Sequence, residues 1–251
     1  MLTQQRKQLI LDILAKEGQV VAKTLAQQLE LSEDTIRRDL RELAKEGLLQ
    51  RVHGGALPAS PAVVDFQQRR EIAPEAKIAI GKAAATMIHA NQIVILDGGT
   101  TTQQLARHLP QDLVATVVTH SPTIAVELAD HPTIEVVLIG GRLFKHSVVT
   151  VGAAALEALA HIRADTYFMG VTGVHPEAGL STGDLEEAYM KKALSEHAAE
   201  TIVLASREKL GVASPYVIMP VTAINGLVIE KETSAELSKP YEALGIAVTR
   251  V

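Results

Sequence analysis

From Ile93, four apolar residues run straight into Asp97, Gly98, Gly99, Thr100, Thr101 and Thr102, and a helical pattern follows to Leu109. The alternation recurs down the chain. "IVILD", "VATVVTH", "IEVVLIG", "DTYFMGV", "TIVLAS" and "GLVIE" read as strands, with segments such as "TTQQLARHL" and "SPTIAVELAD" reading as helices between them. Strands without a polar face are buried on both sides, which predicts a mostly parallel sheet covered by helices: an α/β fold. In such folds ligands bind outside the carboxyl ends of the strands.

The polar motifs of this chain fall at those ends. After the first strand, two glycines let the backbone approach a ligand, while helix-end amides and threonine hydroxyls suit an anion. The lysine of a P-loop is missing and the spacing is not GxGxxG, so neither ATP nor a dinucleotide fits and no cofactor is expected. Thr119, His120 and Ser121 end the second strand, with Ser121 placed to cap the next helix beside the anion. Gly140, Gly141 and Arg142 end the third, Arg142 being a candidate phosphate partner. Gly170, Thr172 and Gly173 follow the fourth. Asp184, Glu186, Glu187 and Lys191 lie near a helix start, and Lys209 follows the fifth strand. One such turn is ordinary; five together suggest a small phosphorylated ligand that also carries hydroxyls.

The first sixty residues follow another rule. Leu9, Ile10, Ile13 and Leu14 recur at helical spacing from Gln4 to Lys16, and Gly18 ends that helix. "AKTLAQQLE" forms a second helix. After a tight turn Ser32 caps a third, which runs to about Glu46 with Gly47 as its C-cap and packs through Ile36, Leu40 and Leu43. Two short helices joined by a tight turn make a helix-turn-helix. The apolar stripe of the third helix leaves Thr35, Arg37, Arg38, Arg41 and Lys45 on other faces, and base edges are reached from such positions. Asp39 is placed to orient a neighbouring arginine. "LLQRVHGGAL" then reads as a strand, a His-Gly-Gly turn and a return, a small wing that offers Arg51 and His53 to the DNA backbone or minor groove.

Charge and composition narrow the classes. The net charge of −5 divides unevenly: residues 1–58 hold nine Lys or Arg against eight Asp or Glu, and the remainder 15 against 21. An acidic chain binds nucleic acid through a local basic face, not through its overall field. Without cysteine there is neither a disulfide nor a thiol nucleophile. The first residues do not follow a signal-peptide pattern, and no apolar stretch reaches the roughly 18 residues of a membrane span. The expectation is a cytoplasmic protein of three parts: a DNA-binding domain at 1–57, a linker rich in proline and small residues at 58–74, and a sensor domain at 75–251.

"RKQLILDILAKEGQVVAKTLAQQLELSEDTIRRDLRELAKEGLLQRVHGGAL" resembles the DNA-binding domain of the DeoR family of bacterial transcription regulators. "KIAIGKAA", "ILDGGTTTQQLA", "VVTHSPTIAVEL", "VLIGGRL" and "GLSTGDLEEAYMKKAL" resemble that family's sensor domain. The resemblance implies a winged helix-turn-helix, a sensor related in fold to ribose-5-phosphate isomerase but generally without its catalysis, and a homo-oligomeric repressor, dimer or tetramer, of carbohydrate catabolic genes. Its partners would be double-stranded operator DNA and a phosphorylated sugar or sugar acid. Family DNA-reading positions fall on Ser32, Thr35, Arg37 and Arg38, and its ligand loops on the strand ends named above. Two departures stand out: His120 where the family commonly has asparagine, and Ser206 where it commonly has aspartate, which removes a carboxylate from the Lys209 region.

The alternative is a sugar-phosphate isomerase with an accessory DNA module. It needs a base within reach of an acidic C–H, and Asp97, Asp184, Glu186 and Glu187 are the candidates, with Lys191 or Lys209 as electrostatic partner. Neighbouring carboxylates on a helix face different ways. Neither a Ser-His-Asp order nor a metal-ligand spacing stands out, so no catalytic residue and no metal is assigned, and a DNA reader fused to a pocket reads better as a regulator.

Overall fold

The computed structural model describes residues 2–251. Its first part is built on three helices, α1 (Thr3–Glu17), α2 (Ala22–Gln28) and α3 (Glu33–Lys45), with three short strands, β1 (Val20–Val21), β2 (Leu49–Val52) and β3 (Gly55–Pro58). Gly18 closes α1 in the left-handed region at φ 73°. Ser32 is the N-cap of α3, its Oγ accepting from the Thr35 amide at 3.2 Å. Glu46 takes the C-cap place instead of Gly47, which stands one residue on. There Gly47 donates to the Ala44 carbonyl and Leu48 to that of Leu43, the paired bonds of a Schellman ending.

Ile10, Leu14, Leu25, Ile36, Leu40 and Leu43 form one core beneath these helices. Asp39, expected to orient a neighbouring arginine, is buried and takes Arg6 of α1 in a two-pronged pair, with Nη2 3.1 Å from Oδ1 and Nε on the other oxygen. The reason is geometric: residue 39 lies on the packed face of α3, where a carboxylate needs a partner from another element. The wing hairpin turns through His53 and Gly54, with Val52 opposite Gly55. β3 also pairs with β1, and a Cβ at Gly55 would meet the Val20 carbonyl oxygen at 1.8 Å, so only glycine lets the two strands close.

The segment read as a linker is docked. Ser60 donates from its amide to the Ala213 carbonyl and from its hydroxyl to the Thr172 carbonyl. Phe66 donates to the His146 carbonyl and opens a helix, α4 (Phe66–Glu71), capped by Asp65. Alanine, valine and proline in 58–64 give no helical period, so pattern alone cannot reveal a stretch fixed by tertiary hydrogen bonds.

After α5 (Pro74–Ala85), the chain lays down β4 (Ile93–Leu96), α6 (Thr100–Arg107), β5 (Ala115–Thr119), α7 (Pro122–Glu127) and β6 (Ile134–Leu138). A hairpin, β7 (Arg142–Phe144) with β8 (Val149–Val151), and α8 (Ala153–Ala158) lead to β9 (Ala164–Gly170). Then come β10 (Gly173–His175), β11 (Gly179–Thr182), α9 (Leu185–Glu196), β12 (Ala198–Leu204), β13 (Tyr216–Met219), β14 (Gly226–Ile229), α10 (Ala235–Ala243) and β15 (Ala247–Arg250).

Seven strands form one sheet in the order β15-β14-β12-β9-β4-β5-β6, every neighbouring pair parallel. The six strands expected from sequence are all in it, and β15 adds an edge. Side chains alternate between two cores: Ile95, Tyr167, Met169 and Val203 on one face, Val94, Leu96, Phe168 and Leu204 on the other. β6 departs from the expectation of two-sided burial. It is an edge strand, and Val137 and Leu138 are exposed. Strands β10, β11 and β13 form a small antiparallel sheet that the sequence pattern did not announce. From β4 the chain moves outward through β5 to β6, then returns to place β9 on the other side of β4, so the switch point lies between β4 and β9.

The Arg6–Asp39 pair is expected to hold α1 against α3. Asp39→Ala leaves a buried guanidinium unpaired and should cost about 3 kcal/mol, read by urea denaturation of the full chain as an earlier melting of the N-terminal helices.

Candidate functional site

The site grows from the end of β4. Asp97 is fully buried, and each of its oxygens has two donors: the Gly98 amide and His120 Nε2 at 2.8 Å on Oδ1, the Gly170 amide at 2.8 Å and Lys191 Nζ at 2.6 Å on Oδ2. Burial by itself raises the Asp97 carboxyl, but Lys191 and His120 outweigh it and hold the group well below the usual carboxylate range. Asp97 therefore organises the site. It does not line the cavity, and with its oxygens occupied it is no free base.

Next to it the backbone turns sharply into α6. A Cβ at Gly98 would meet Val149 Cγ1 at 2.1 Å, and Gly99 adopts φ 143° at the N-cap. Thr102 Oγ1 donates back to the Gly99 carbonyl at 3.0 Å. The first amides of a helix have no intrahelical acceptor, and they carry its positive dipole end. Gly98 to Thr102 thus form one wall of a cleft that Gly170, Thr172, Thr182, Glu187, Lys191, Lys209 and Arg69 complete.

Lys209 is buried on the far side, its ammonium 3.4 Å from Thr101 Oγ1. Burial pushes it down to about 7; Glu208 opposes the shift, and Lys77, Arg69 and Lys191 add to it. Lys77, buried behind α4, is lowered by burial to about 8. Glu187 is held by Thr182 Oγ1 at 2.9 Å, Ser147 Oγ at 3.3 Å and Lys191 Nζ at 3.6 Å. Arg69, Lys191 and Lys209 thus share the cleft with Glu187, with Asp97 and Lys77 buried behind it, in a medium where charge is weakly screened. The free space is about 20 Å³, room for one water molecule.

Of the strand-end residues singled out from sequence, Gly98, Gly99, Thr100, Thr101, Thr102, Gly170, Glu187 and Lys209 meet at this cleft. Thr119, His120 and Ser121 sit behind it. Thr119 Oγ1 donates to the Leu96 carbonyl, and His120 bridges Asp97 to the Thr150 carbonyl through Nδ1 at 2.9 Å. Ser121 occupies the N-cap place of α7, but its hydroxyl meets Thr123 Oγ1 and the Val148 carbonyl instead of a helix amide. Asp184 caps α9, accepting from the Glu187 amide at 3.0 Å, and does not face the cleft. Gly173 packs on Ser181 and Val212. Gly140, Gly141 and Arg142 lie outside as well. β6 ends at Leu138 and the chain swings out into the β7–β8 hairpin, leaving Arg142 exposed. Replacing aspartate by Ser206 does not empty the Lys209 region of carboxylates, because Ser206 Oγ donates to Glu208 Oε1 at 2.6 Å.

Arg69 is the residue sequence reasoning missed. It sits inside the presumed linker, and only the docking of α4 brings it to the cleft. Thr172, one of the polar strand ends, and Lys191, expected only as an electrostatic partner in the isomerase alternative, line the cleft as well.

On the other domain, Ser32, Arg37, Arg38, Arg41, Arg51 and His53 are exposed and Thr35 is half-buried. Arg37 pairs with Glu33 at 3.2 Å, whereas Arg38, Arg41 and Arg51 have no ion-pair partner among the described residues. His53 also lines a groove of about 350 Å³ between the wing and His175, Glu177 and Ala178 of the β10–β11 hairpin. The described residues include no cluster of metal-ligating side chains and no helix long and apolar enough to cross a membrane.

Residues 6–61 match the family model for a DeoR-like helix-turn-helix domain, and residues 72–231 match that for the DeoR C-terminal sensor domain. The chain is 33% identical over 250 residues to the transcriptional regulator GlpR of Haloferax volcanii, covering 99% of this chain and 98% of that one. It is 31% identical to the regulator GolR of Listeria innocua, over 97% of both. It is 32% identical to the repressor GlcR of Bacillus subtilis, over 92% of this chain and 90% of that one. Among solved structures, it aligns with the full-length sorbitol operon regulator SorC of Klebsiella pneumoniae at TM-score 0.43 and 13% identity, over 95% and 98% of the two chains. It aligns with ribose 5-phosphate isomerase A of Methanocaldococcus jannaschii at TM-score 0.41 and 18% identity, over 54% of each.

The lowered Lys209 sets the sign of a pH effect. Between about 7 and the ordinary lysine value the unfolded chain binds more protons, so this group makes the folded state more stable as pH rises. Lys209→Met should therefore melt above the parent at pH 7, by roughly 2–4 °C for each kcal/mol recovered. The gap should shrink as pH climbs toward 10. A gap constant across thermal melts in that range would contradict a buried, titrating Lys209.

Proposed function

The chain belongs to the DeoR family of transcriptional regulators, and on that premise we propose that it is a repressor released from operator DNA by a phosphorylated sugar or sugar acid. The observation that carries the ligand class is the buried Lys209 facing the amino end of α6 across Thr101. An ammonium with one long hydrogen bond, set against unpaired helix amides, is a receptor for a dianion. Thr100 and Thr101 offer hydroxyls to the phosphate while Thr102 Oγ1, donating to the Gly99 carbonyl, shapes the turn, and Glu187 and Thr182 are polar partners for sugar hydroxyls. A site that offers hydrogen bonds only to a hydroxylated ligand discriminates strongly against those without.

Arg38 and Arg41 face outward on α3 with their donors free, which suits guanine edges and phosphates. Ser32 and Thr35 stand at the amino end of α3, where base edges are normally reached. Arg37 serves the backbone after leaving Glu33, and Arg51 and His53 extend the footprint from the wing. One recognition helix reads too few base pairs for a specific site, so the working form is a homo-oligomer, dimer or tetramer. The chain works in the cytoplasm, where operator DNA and phosphorylated metabolites meet. Turnover is disfavoured because Asp97 is saturated with donors and Glu187 is tied to Thr182, Ser147 and Lys191.

Incubation with fragmented host DNA at near-physiological salt should retain a few sharp sites carrying repeated or two-fold related half-sites. Diffuse retention would sink the repressor reading. Arg38→Ala should weaken specific binding by about 1–3 kcal/mol while leaving the response to sugar phosphates intact. A panel of five- and six-carbon aldose, ketose and aldonate phosphates should include one that releases the DNA and raises the melting temperature. Thr101→Ala should weaken that response and spare DNA binding, as calorimetry would show. Steady conversion of any panel member would instead favour the isomerase.

A further inference from the structure

Arg69 is a charged group left incomplete. Its Nε and Nη2 are both buried and have no hydrogen-bond partner. A guanidinium carries five donors, and leaving buried ones unmade costs the full desolvation of each. Glu187, Asp97 and Asp65 attract it only through space, and burial lowers its proton affinity despite them. It lines the cleft beneath α6 and also the adjoining small cavity beside Glu187, Thr172 and Val63.

Its position in the chain matters as much as its chemistry. Arg69 rides on α4, in the only covalent connection between the wing and the sheet. Its own carbonyl accepts from Lys77 Nζ, which ties α4 to α5. Upstream, Ser60 hydrogen-bonds the Thr172 carbonyl, and Thr172 is itself a wall of the cleft. Ala213 donates to Pro58, the last residue of wing strand β3. The connector thus runs from the cleft to the wing with tertiary hydrogen bonds at Phe66, Ser60 and Pro58. The cleft holds room for about one water, so a sugar phosphate enters only if a wall moves. The walls from β4 and β9 are central strands of the sheet, whereas α4 is a six-residue helix at the protein's surface.

We infer that Arg69 clamps the anionic group of the ligand and that, through it, the connector of residues 58–72 reports occupancy of the cleft to the DNA-binding domain. This rests on the anion-binding reading of the cleft and adds to it the residue that couples the two domains. The guanidinium offers a planar pair of N–H donors to two oxygens of one phosphate, a geometry that lysine cannot reproduce. Ligand that fills these donors holds α4 in a position set by the phosphate. The hydrogen bonds from Phe66 to Pro58 carry that position to β3. Coupling requires that the two states differ in ligand affinity, and a donor pair satisfied only when ligand is bound supplies that difference.

The test uses the full chain, with inorganic phosphate as probe. Millimolar phosphate should raise the melting temperature of the parent and slow hydrogen exchange of peptides within residues 58–72. Arg69→Met should melt at or above the parent without phosphate, because an unpaired buried charge is replaced by a chain of similar reach; a residue that merely packs would be destabilised. The same variant should lose at least about tenfold in phosphate affinity and show no slowing in 58–72. Arg69→Lys should recover part of the affinity. Ser60→Ala should keep the affinity and lose the protection. Parent-like affinity in Arg69→Met, or a parent whose 58–72 exchange ignores bound phosphate, overturns the inference and leaves the sugar-phosphate reading standing. A parent indifferent both to phosphate and to the sugar-phosphate panel overturns both.

Discussion

A carboxylate buried at the switch point of a parallel sheet is tolerable only if every lone pair has a donor. Asp97 meets that condition by drawing on four elements at once: its own turn, the end of β5 through His120, the end of β9 through Gly170, and α9 through Lys191. This cluster fixes the distance between β4 and β9 at their carboxyl ends. It orients the turn into α6, and it places Lys191 where its charge is partly spent before any ligand arrives. His120 belongs to this scaffold, bridging Asp97 and the Thr150 carbonyl behind the cleft.

With Lys191 committed, the charge left over in the cleft is that of Lys209 and Arg69. The fold bears a cost for burying both, visible in the lysine lowered to about 7 and in the guanidinium nitrogens without acceptors. Such strain is common where a binding site is organised in advance of its ligand. An anion bound as proposed would supply the missing acceptors and turn this unfavourable feature into a favourable term for the complex. Because one of the two cations stands on the connector, that relief has a mechanical route to the wing.

The DNA-binding half uses the same physics for another end. Arg6 and Asp39 spend their charges on each other inside the helical core, setting how α1 lies on α3. On the outer face of α3, Arg37 is held by Glu33, while Arg38 and Arg41 carry no ion pair among the described residues. Charge that is paired inside specifies the domain, and charge without an internal partner stays at the surface, where the proposed DNA contact would be made. The two halves therefore meet opposite demands with one rule, that a buried ion takes a fixed partner and an exposed or unfilled one waits for a mobile one.

The alternation of apolar runs with helical patterns determined the parallel sheet, because two-sided burial writes itself into consecutive residues. The N-cap at Ser32, the glycine ending at Gly18 and the wing turn at His53 and Gly54 were also legible, since each depends on neighbours within a few positions. The Gly98–Thr102 cradle was legible for that reason too. What the sequence could not hold was which strand ends face the same space. Gly140, Gly141 and Arg142 looked equivalent to Gly98 and Gly99, but β6 lies at the edge of the sheet and its loop turns outward. Asp97 and Asp184 looked like ligand contacts, but the structure turns the first onto His120, Lys191 and two amides and the second onto the Glu187 amide. Arg69 and the docked connector were decided entirely by tertiary structure, because they rest on hydrogen bonds between residues as far apart as Ser60 and Thr172. Local pattern encodes the elements; strand order, which no short stretch contains, decides which of their ends become a site.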